Sequence, residues 1–418
     1  MKIAVIDHIG NPGGGSRVVR ALLPALKRID PSIEIEYFGN PVAIRRENLY
    51  QEFRLEGIKV NFLKSLYLSS GELIKSKIFC KALSVIQNRF KDKIGFLPTF
   101  LSGDVALEIE KRIQGFDLAF FPWPYMLRMP ILDCPVVGIF HDFNFKYYFS
   151  GPDTFGPHRR KKIESEMPDW LAHSTPVVST HFMASELKRF YPTASNKVKV
   201  IHLSSLGGFE ILTVLQVSDI LAELGIQPPY ILYPMNMCSH KNVGPLIAAV
   251  DILGMQGRNI PLVLTGQGTE NISGKSSSIG VCRDGLEIDV IGLGHVSNLQ
   301  MNALIQGAKI VVSSSLYEAG NGPGTDAWAR GVPVAMSNIP AFLEHIKKQD
   351  LRAKVFDPRD PKDIAKKLSE ILDNPTAAHI DATHSAKMIA AFPWEKTARQ
   401  YFDVFLEAIA QFNNPNKV

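Results

Sequence analysis

Apolar residues in this chain fall in short unbroken runs, each followed by a stretch in which they recur at helical spacing. Lys2–Asp7 (KIAVID) reads as a strand, Gly10–Ser16 as a glycine loop, and Arg17–Arg28 as a helix with Val18, Leu22, Leu23 and Leu26 on its apolar face. Ile33–Tyr37, Leu118–Phe121, Val136–Phe140 and Val177–Ser179 read as further short strands, buried on both faces because they do not alternate. Lys197–His202 closes this half. Leu203–Pro229, with Gly207-Gly208 and Pro228-Pro229, reads as a linker with room for a helix over Ile211–Leu224. The pattern then restarts with a strand at Tyr230–Tyr233, a helix at Val243–Leu253, a strand at Leu262–Leu264 and another beginning at Val290–Ile291. Lys309–Ser315 (KIVVSSS) is again a strand covered on both faces, and Trp394–Phe412 is an amphipathic helix.

Strand and helix alternating through the chain predict an α/β fold of two doubly wound, Rossmann-like domains in tandem. The length of 418 residues suits two cores of about 200 residues each. Ligands of such sheets sit at the carboxyl ends of the strands, so the expected site is a cleft between the domains.

Composition narrows the class of protein. Hydrophobic residues at 45% and charged residues at 21% fit a soluble globular chain. No run approaches the ~18 apolar residues of a membrane helix, and MKIAVID carries no basic-then-apolar leader. Cys80, Cys134, Cys238 and Cys282 lie far apart without C-x-x-C spacing, which favours a reducing, cytoplasmic setting. The net charge of +5 permits an anionic ligand or a membrane surface and selects neither. Two basic clusters, Lys75 to Lys93 and His158 to Lys162, read first as solvated helix faces. The alternative is peripheral contact with anionic lipid at the inner membrane face. No stacking aromatics or binding module accompany these charges, so nucleic acid is not an expected partner. The absence of HExxH, paired His/Cys ligands or D-x-D predicts no metal and no cofactor.

The chemistry concentrates where the predicted strands end. After KIVVSSS come Glu318, then a turn through Gly320, Asn321, Gly322 and Gly324, then a helix predicted from Thr325. Helix starts favour anions. Asp326, eight residues after Glu318, falls on the first turn of that helix, where a carboxylate can accept both hydrogen bonds of a sugar diol. The first loop, GNPGGGSR, brings Gly14 and Gly15 to another helix start. It is not G-x-G-x-x-G, so a nicotinamide oxidoreductase is a weak alternative. His141 follows VVGIF at a strand end, with Asp142 beside it to orient the imidazole or cap the next segment. Lys241 lies just before a predicted helix, where its ammonium can neutralise a leaving anion.

The stretch SLYEAGNGPGTDAWARGVPVAMSNIPAFLE resembles the carboxyl-terminal signature of the family 4 glycosyltransferases, retaining enzymes of GT-B architecture. YPMNMCSHKN and the HD pair at His141 resemble the mannosyltransferase-like members. The resemblance implies an acceptor domain over residues 1–205 and a nucleotide-sugar domain over 206–394. It also implies a terminal helix, 395–418, that returns to pack on the first domain. It implies that Glu318 holds donor-sugar hydroxyls, His141 touches the sugar near its reacting end, and Asp326 holds the ribose. Lys241, Asn236 and the Gly14–Gly15 pair would surround the diphosphate. Gly266, Val296 and the Gly320–Asn321–Gly322 turn would line the nucleotide pocket. The donor would be a nucleoside diphosphate sugar, and the acceptor a saccharide, a lipid-linked saccharide or a small molecule. Two departures stand out: Asp326 replaces the usual glutamate, and Met235 stands where many members place an arginine. They keep open a sugar-nucleotide-binding module without transfer activity, beside a nucleotide-sugar epimerase on the same architecture.

Overall fold

A computed structural model describes residues 1–9, 14–41, 44, 49–63, 105–147, 156–205, 211–272, 274–275 and 289–414. Among these residues the chain forms two sheets of seven strands. The first contains β1 (Lys2–Asp7), β2 (Glu34–Gly39), β3 (Lys59–Phe62), β4 (Leu118–Phe121), β5 (Val136–Ile139), β6 (Thr175–Val178) and β7 (Lys199–Val200), in the order β3-β2-β1-β4-β5-β6-β7. All its neighbours pair in parallel. The second contains β8 (Ile231–Pro234), β9 (Leu262–Thr265), β10 (Gly274–Lys275), β11 (Asp289–Gly292), β12 (Ile310–Ser313), β13 (Val334–Ser337) and β14 (Lys354–Phe356). Its order is β10-β11-β9-β8-β12-β13-β14, parallel except for the short β10 edge.

Period-two alternation explains why each sheet is covered on both sides. Along β1, Ile3 and Val5 enter one apolar cluster while Ala4 and Ile6 enter the cluster on the opposite face. The first cluster is completed by α1 (Gly14–Ile29), through Val18, Leu22 and Leu26, and by the last helix of the chain. That helix, Trp394–Asn413, turns Ala398, Tyr401, Val404, Phe405 and Ala408 inward against the first sheet. Phe120 of β4 meets the Tyr401 and Phe405 rings at 5.9 and 5.2 Å. Trp394 Nε1 donates to Ser205 O at 2.6 Å and fixes where the helix begins.

Several elements differ from the sequence reading. Helix α1 begins at Gly14, so Gly14 and Gly15 form its first turn instead of belonging to a loop. The cluster from Lys75 to Lys93, with Cys80, lies outside the described residues. In the second cluster, on α2 (Gly156–His173), Arg160 is buried and its guanidinium donates to Phe145 O. Only His158, Arg159 and Lys161 of that group are exposed. Among the described residues no helix is long and apolar enough to cross a membrane.

Candidate active site in the interdomain cleft

Strand order places the site. In the second sheet β8 lies between β9 and β12; the connection from β8 runs to one side, to β9, and the chain crosses from β11 to β12 on the other side, which opens a crevice at the carboxyl ends of these strands. Two loops meet there: 235–242 after β8 and 314–321 after β12. Asn242, left-handed at φ 55°, joins them by donating from Nδ2 to Ser314 O at 3.2 Å and Pro358 O at 2.7 Å. Ser314 Oγ donates to Lys241 O at 3.1 Å, Leu316 N to His240 O at 2.7 Å, and the Tyr233 hydroxyl to Lys241 O at 3.0 Å. Lys241 and Glu318 are therefore presented by one rigid floor.

Their side chains form an ion pair. Ser315 Oγ also donates to the Glu318 carboxylate, at 2.7 Å. Burial works against the Lys241 ammonium, but Glu318 outweighs it and holds the lysine pKa above its usual value. Burial likewise works against the Glu318 charge. Lys241, then His240 and the two hydrogen bonds, outweigh it and leave the carboxyl below its usual range. Sequence reasoning gave Lys241 to a phosphate and Glu318 to a sugar. In the structure the two neutralise each other.

The neighbouring rim is built from close backbone approach. Gly266 N donates to Gly294 O at 2.6 Å, Gln267 N to Asn236 Oδ1 at 3.0 Å, and Met237 N to Gln267 O at 2.8 Å. Gly266 has φ 113°, and a Cβ there would stand 2.0 Å from Met235 O, so only glycine fits. Val296, half-buried, follows on the same rim. The Asn236 carboxamide oxygen thus holds a loop.

The helix after Glu318, α5, is Gly322–Trp328 and starts three residues before the predicted Thr325. (Between α2 and α5 lie α3, His181–Phe190, and α4, Val243–Met255; α6 is Pro340–Gln349 and α7 the terminal Trp394–Asn413.) Asn321 is its N-cap and accepts from Gly324 N at 3.0 Å. Pro323 has no N–H, and Thr325 N donates to Asn321 O at 2.9 Å. The expected phosphate cradle at Thr325 is consequently occupied by the helix's own cap. Gly320 lies just before this cap, near the His345 ring. Asp326 sits on the second turn, not the first. It is 2% exposed and accepts from Arg17 of α1 at 2.5 Å, across the cleft. Its other oxygen, Oδ1, is buried without a hydrogen-bond partner.

The opposite wall comes from β4 and β5, adjacent in the first sheet. His141 Nε2 donates to Pro122 O at 2.8 Å, and its ring stacks on Trp123 with centroids 4.8 Å apart. Burial, against that carbonyl bond, lowers the His141 pKa to about 4, so the imidazole is neutral with its proton on Nε2. Asp142 does not orient it. Asp142 Oδ1 instead accepts from Asn144 N at 2.9 Å, where the turn Asn144–Lys146 begins. Burial lifts the Asp142 carboxyl to about 6, opposed by the Asn144 N–H, and the charge of Glu318 adds to the rise.

Direct contacts join the walls. Asn144 Nδ2 donates to His240 Nδ1 at 3.0 Å, Phe143 N to the Tyr317 hydroxyl at 3.2 Å, and Ser179 Oγ to Ala319 O at 3.0 Å. Burial lowers the His240 pKa to about 4, against the pull of Glu318. At the far edge Glu344 of α6 accepts from His181 N (2.6 Å) and Phe182 N (2.9 Å) at the start of α3, and lies 2.7 Å from His202 Nε2. His181, His202 and Glu344 hold their donor atoms within 4.8 Å of one another. The carboxylate is already spent on capping α3, so this group is a clasp between domains.

Sequence reasoning missed Arg17, Trp123, Asn144, Tyr317 and Glu344. Arg17 had a signal, a cation directly after a glycine run. Glu344 ends the SNIPAxxE phrase. Trp123, Asn144 and Tyr317 had none, because their partners are remote in sequence.

The model of the family "Glycosyl transferases group 1" matches residues 218–388. This segment is similar to the domain that defines that family. It contains Asn236, Lys241, Gly266, Val296, Glu318, Gly320, Asn321, Gly322 and Asp326, whereas Gly14, Gly15, Arg17 and His141 lie before it. Among curated relatives, an MMP alpha-(1->4)-mannosyltransferase of Mycolicibacterium hassiacum is 26% identical over 28% of each chain. An uncharacterized glycosyltransferase of Methanocaldococcus jannaschii is 24% identical over 53% of this chain and 57% of its own. The chain thus spans from about a quarter to just over half of these relatives' lengths. Over the whole chain the likeness is one of shape. HepE of Anabaena, crystallised with UDP-glucose, superposes with a TM-score of 0.67 at 14% identity, covering 97% of this chain and 100% of HepE. WaaG, a glycosyltransferase involved in lipopolysaccharide biosynthesis, gives 0.63 at 12% identity, covering 96% and 99%. Two parallel Rossmann-like sheets with these neighbours make the fold GT-B.

Proposed function

We propose that the protein is a retaining glycosyltransferase that moves a hexose, mannose in our reading, from a nucleoside diphosphate sugar to an acceptor hydroxyl. The observation that carries this is the Lys241–Glu318 pair on the cleft floor of a domain similar to those of group 1 glycosyltransferases, with the neutral His141 on the facing wall. The alignment with a mannosyltransferase supports mannose, and a UDP-glucose complex of the same shape supports a nucleotide-sugar donor.

In this mechanism the donor inserts between the paired side chains. Lys241 passes to the diphosphate, whose charge grows as the anomeric C–O bond breaks, and Glu318 passes to the sugar hydroxyls. His141, protonated on Nε2, offers Nδ1 as acceptor to a sugar hydroxyl and stabilises positive charge at the anomeric carbon. The acceptor oxygen bonds that carbon from the face the diphosphate leaves, and its proton goes to the departing phosphate oxygen. Closure of the domains excludes water and so suppresses hydrolysis. The acceptor is a glycan, a lipid-linked saccharide or a small molecule. We place the protein in the cytoplasm, where exposed His158, Arg159 and Lys161 on α2 suit peripheral contact with an anionic membrane.

GDP-, UDP- and ADP-hexoses, offered with a saccharide panel, test the assignment. Transfer with retained anomeric configuration is expected from one donor class. Glu318→Ala and Lys241→Ala should each cut it about a hundredfold, the scale of one lost transition-state contact; unchanged rates in both would remove the site assignment. A second reading, a sugar-nucleotide-binding module, draws on the burial of Met235 and the engagement of Asp326 by Arg17. Tight binding with neither transfer nor slow hydrolysis would favour it.

A further inference from the structure

We propose that Arg17, from the amino-terminal domain, is a further cation of the donor diphosphate site, and that its ion pair with Asp326 gives way to the diphosphate when the donor binds. This rests on the glycosyl-transfer reading above.

The carboxyl-terminal domain is short of positive charge where a diphosphate would lie. Met235 stands in the place of an arginine, is 5% exposed and packs in the apolar core beside Tyr233 and Leu264. His240 cannot substitute, since its Nδ1 accepts from Asn144 and burial keeps it neutral. The Asn236 oxygen holds Gln267 N, and the N–H groups of Gly324 and Thr325 are bound by Asn321. What this domain offers is two cations, Lys241 and Arg330, against two carboxylates, Glu318 and Asp326, and the Arg330 guanidinium is engaged by Asp326 O at 2.7 Å and Asn302 Oδ1 at 2.5 Å. Such a floor carries no surplus positive charge for a pyrophosphate.

Arg17 corrects the balance from across the cleft. It stands in the first turns of α1, just past the glycine run, and reaches Asp326 Oδ2 at 2.5 Å. The two partners differ in freedom: the Arg17 side chain is 31% exposed, the Asp326 side chain 2%. The guanidinium can therefore swing while the carboxylate stays. Asp326 Oδ1, buried and unpartnered, is an acceptor without a donor, and such groups in a native fold call for a specific explanation. A ribose diol supplies donors to both oxygens once Arg17 has moved to the phosphates. A guanidinium binds phosphate through two parallel N–H donors, which makes the exchange favourable for both partners. Because Arg17 belongs to the other domain, the leaving group is fully neutralised only when the cleft is closed.

Calorimetric titration with UDP, UMP, GDP and GMP separates the possibilities. Arg17→Ala should weaken the nucleoside diphosphate that binds by about ten- to a hundredfold, the range of one charge-assisted contact. The monophosphate should change far less, so selectivity for the second phosphate falls. Arg17→Lys should recover part of it. Asp326→Ala breaks the same ion pair but should weaken diphosphate and monophosphate equally, leaving selectivity intact. Equal selectivity in wild type, Arg17→Ala and Asp326→Ala would reduce the pair to a structural latch and overturn the proposal. Wild-type protein that binds neither UDP nor GDP would instead overturn the nucleotide-sugar reading on which it stands.

Discussion

At the scale of single residues, burial sets the protonation of four histidines, whereas Lys241 and Glu318 hold each other charged against it. His8, His141, His240 and His345 are each lowered from 6.5 to about 4, chiefly by burial. A histidine with a depressed folded pKa gives its full stability above 6.5 and loses it as pH falls toward 4, because the unfolded chain binds the proton first. Asp142 acts in the opposite sense. Its folded carboxyl is raised from 3.8 to about 6, so it favours the fold as pH falls through that window. Four similar shifts outweigh one. The unfolding free energy should therefore be roughly 3–6 kcal/mol lower at pH 5 than at pH 7. Denaturant midpoints at the two pH values measure this, and equal midpoints would show that these rings are solvated. Residue types at the predicted strand ends marked Glu318 and Lys241 as candidates, and the resemblance of the HD pair marked His141. Sequence did not announce that Lys241 and Glu318 neutralise each other, since that depends on two loops 77 positions apart in the chain.

At the scale of elements, the periodicity that predicted each strand also dictates what it packs against. The terminal helix shows this well. Tyr401, Val404, Phe405 and Ala408 recur at helical spacing, and that stripe covers the face of the first sheet defined by Ile3 and Val5. Phe405 is fully buried, so Phe405→Ala should cost about 3–5 kcal/mol in denaturant unfolding. A loss below about 1 kcal/mol would mean that the helix is not seated on that sheet. Boundaries were less legible than existence. Helix α5 starts at Gly322 because Asn321 caps it, and α1 starts at Gly14 inside what reads as a loop. Both shifts arise where glycine lets turn and helix compete on nearly equal terms.

At the scale of the whole molecule, the two domains are joined around the site by polar contacts and by the Tyr317 ring, which is buried in the first domain's apolar cluster beside Tyr147 and Phe182. Glu344 makes three of the polar contacts, to His181 N, Phe182 N and His202. Burial disfavours its charge, but the two N–H donors and the histidine outweigh this and keep the carboxyl below its usual range. Glu344→Ala removes a helix cap as well as the interdomain link, and should cost about 1–2 kcal/mol. It should also open the cleft, which a larger radius of gyration in X-ray scattering would detect. An unchanged radius would show that the other contacts suffice to hold the domains closed.

The amino-acid sequence alone determined the architecture and the chemical cast: two doubly wound sheets, with a histidine, a lysine and two acids at their carboxyl ends. Those follow from local spacing, which each segment carries within itself. Tertiary structure decided who partners whom. It paired Lys241 with Glu318, sent Arg17 to Asp326, and committed the Asn321 cap and the Asn236 oxygen to the backbone. Electrostatic and hydrogen-bond partners depend on distances of a few ångströms between remote segments, and strand order, which no local pattern encodes, sets those distances.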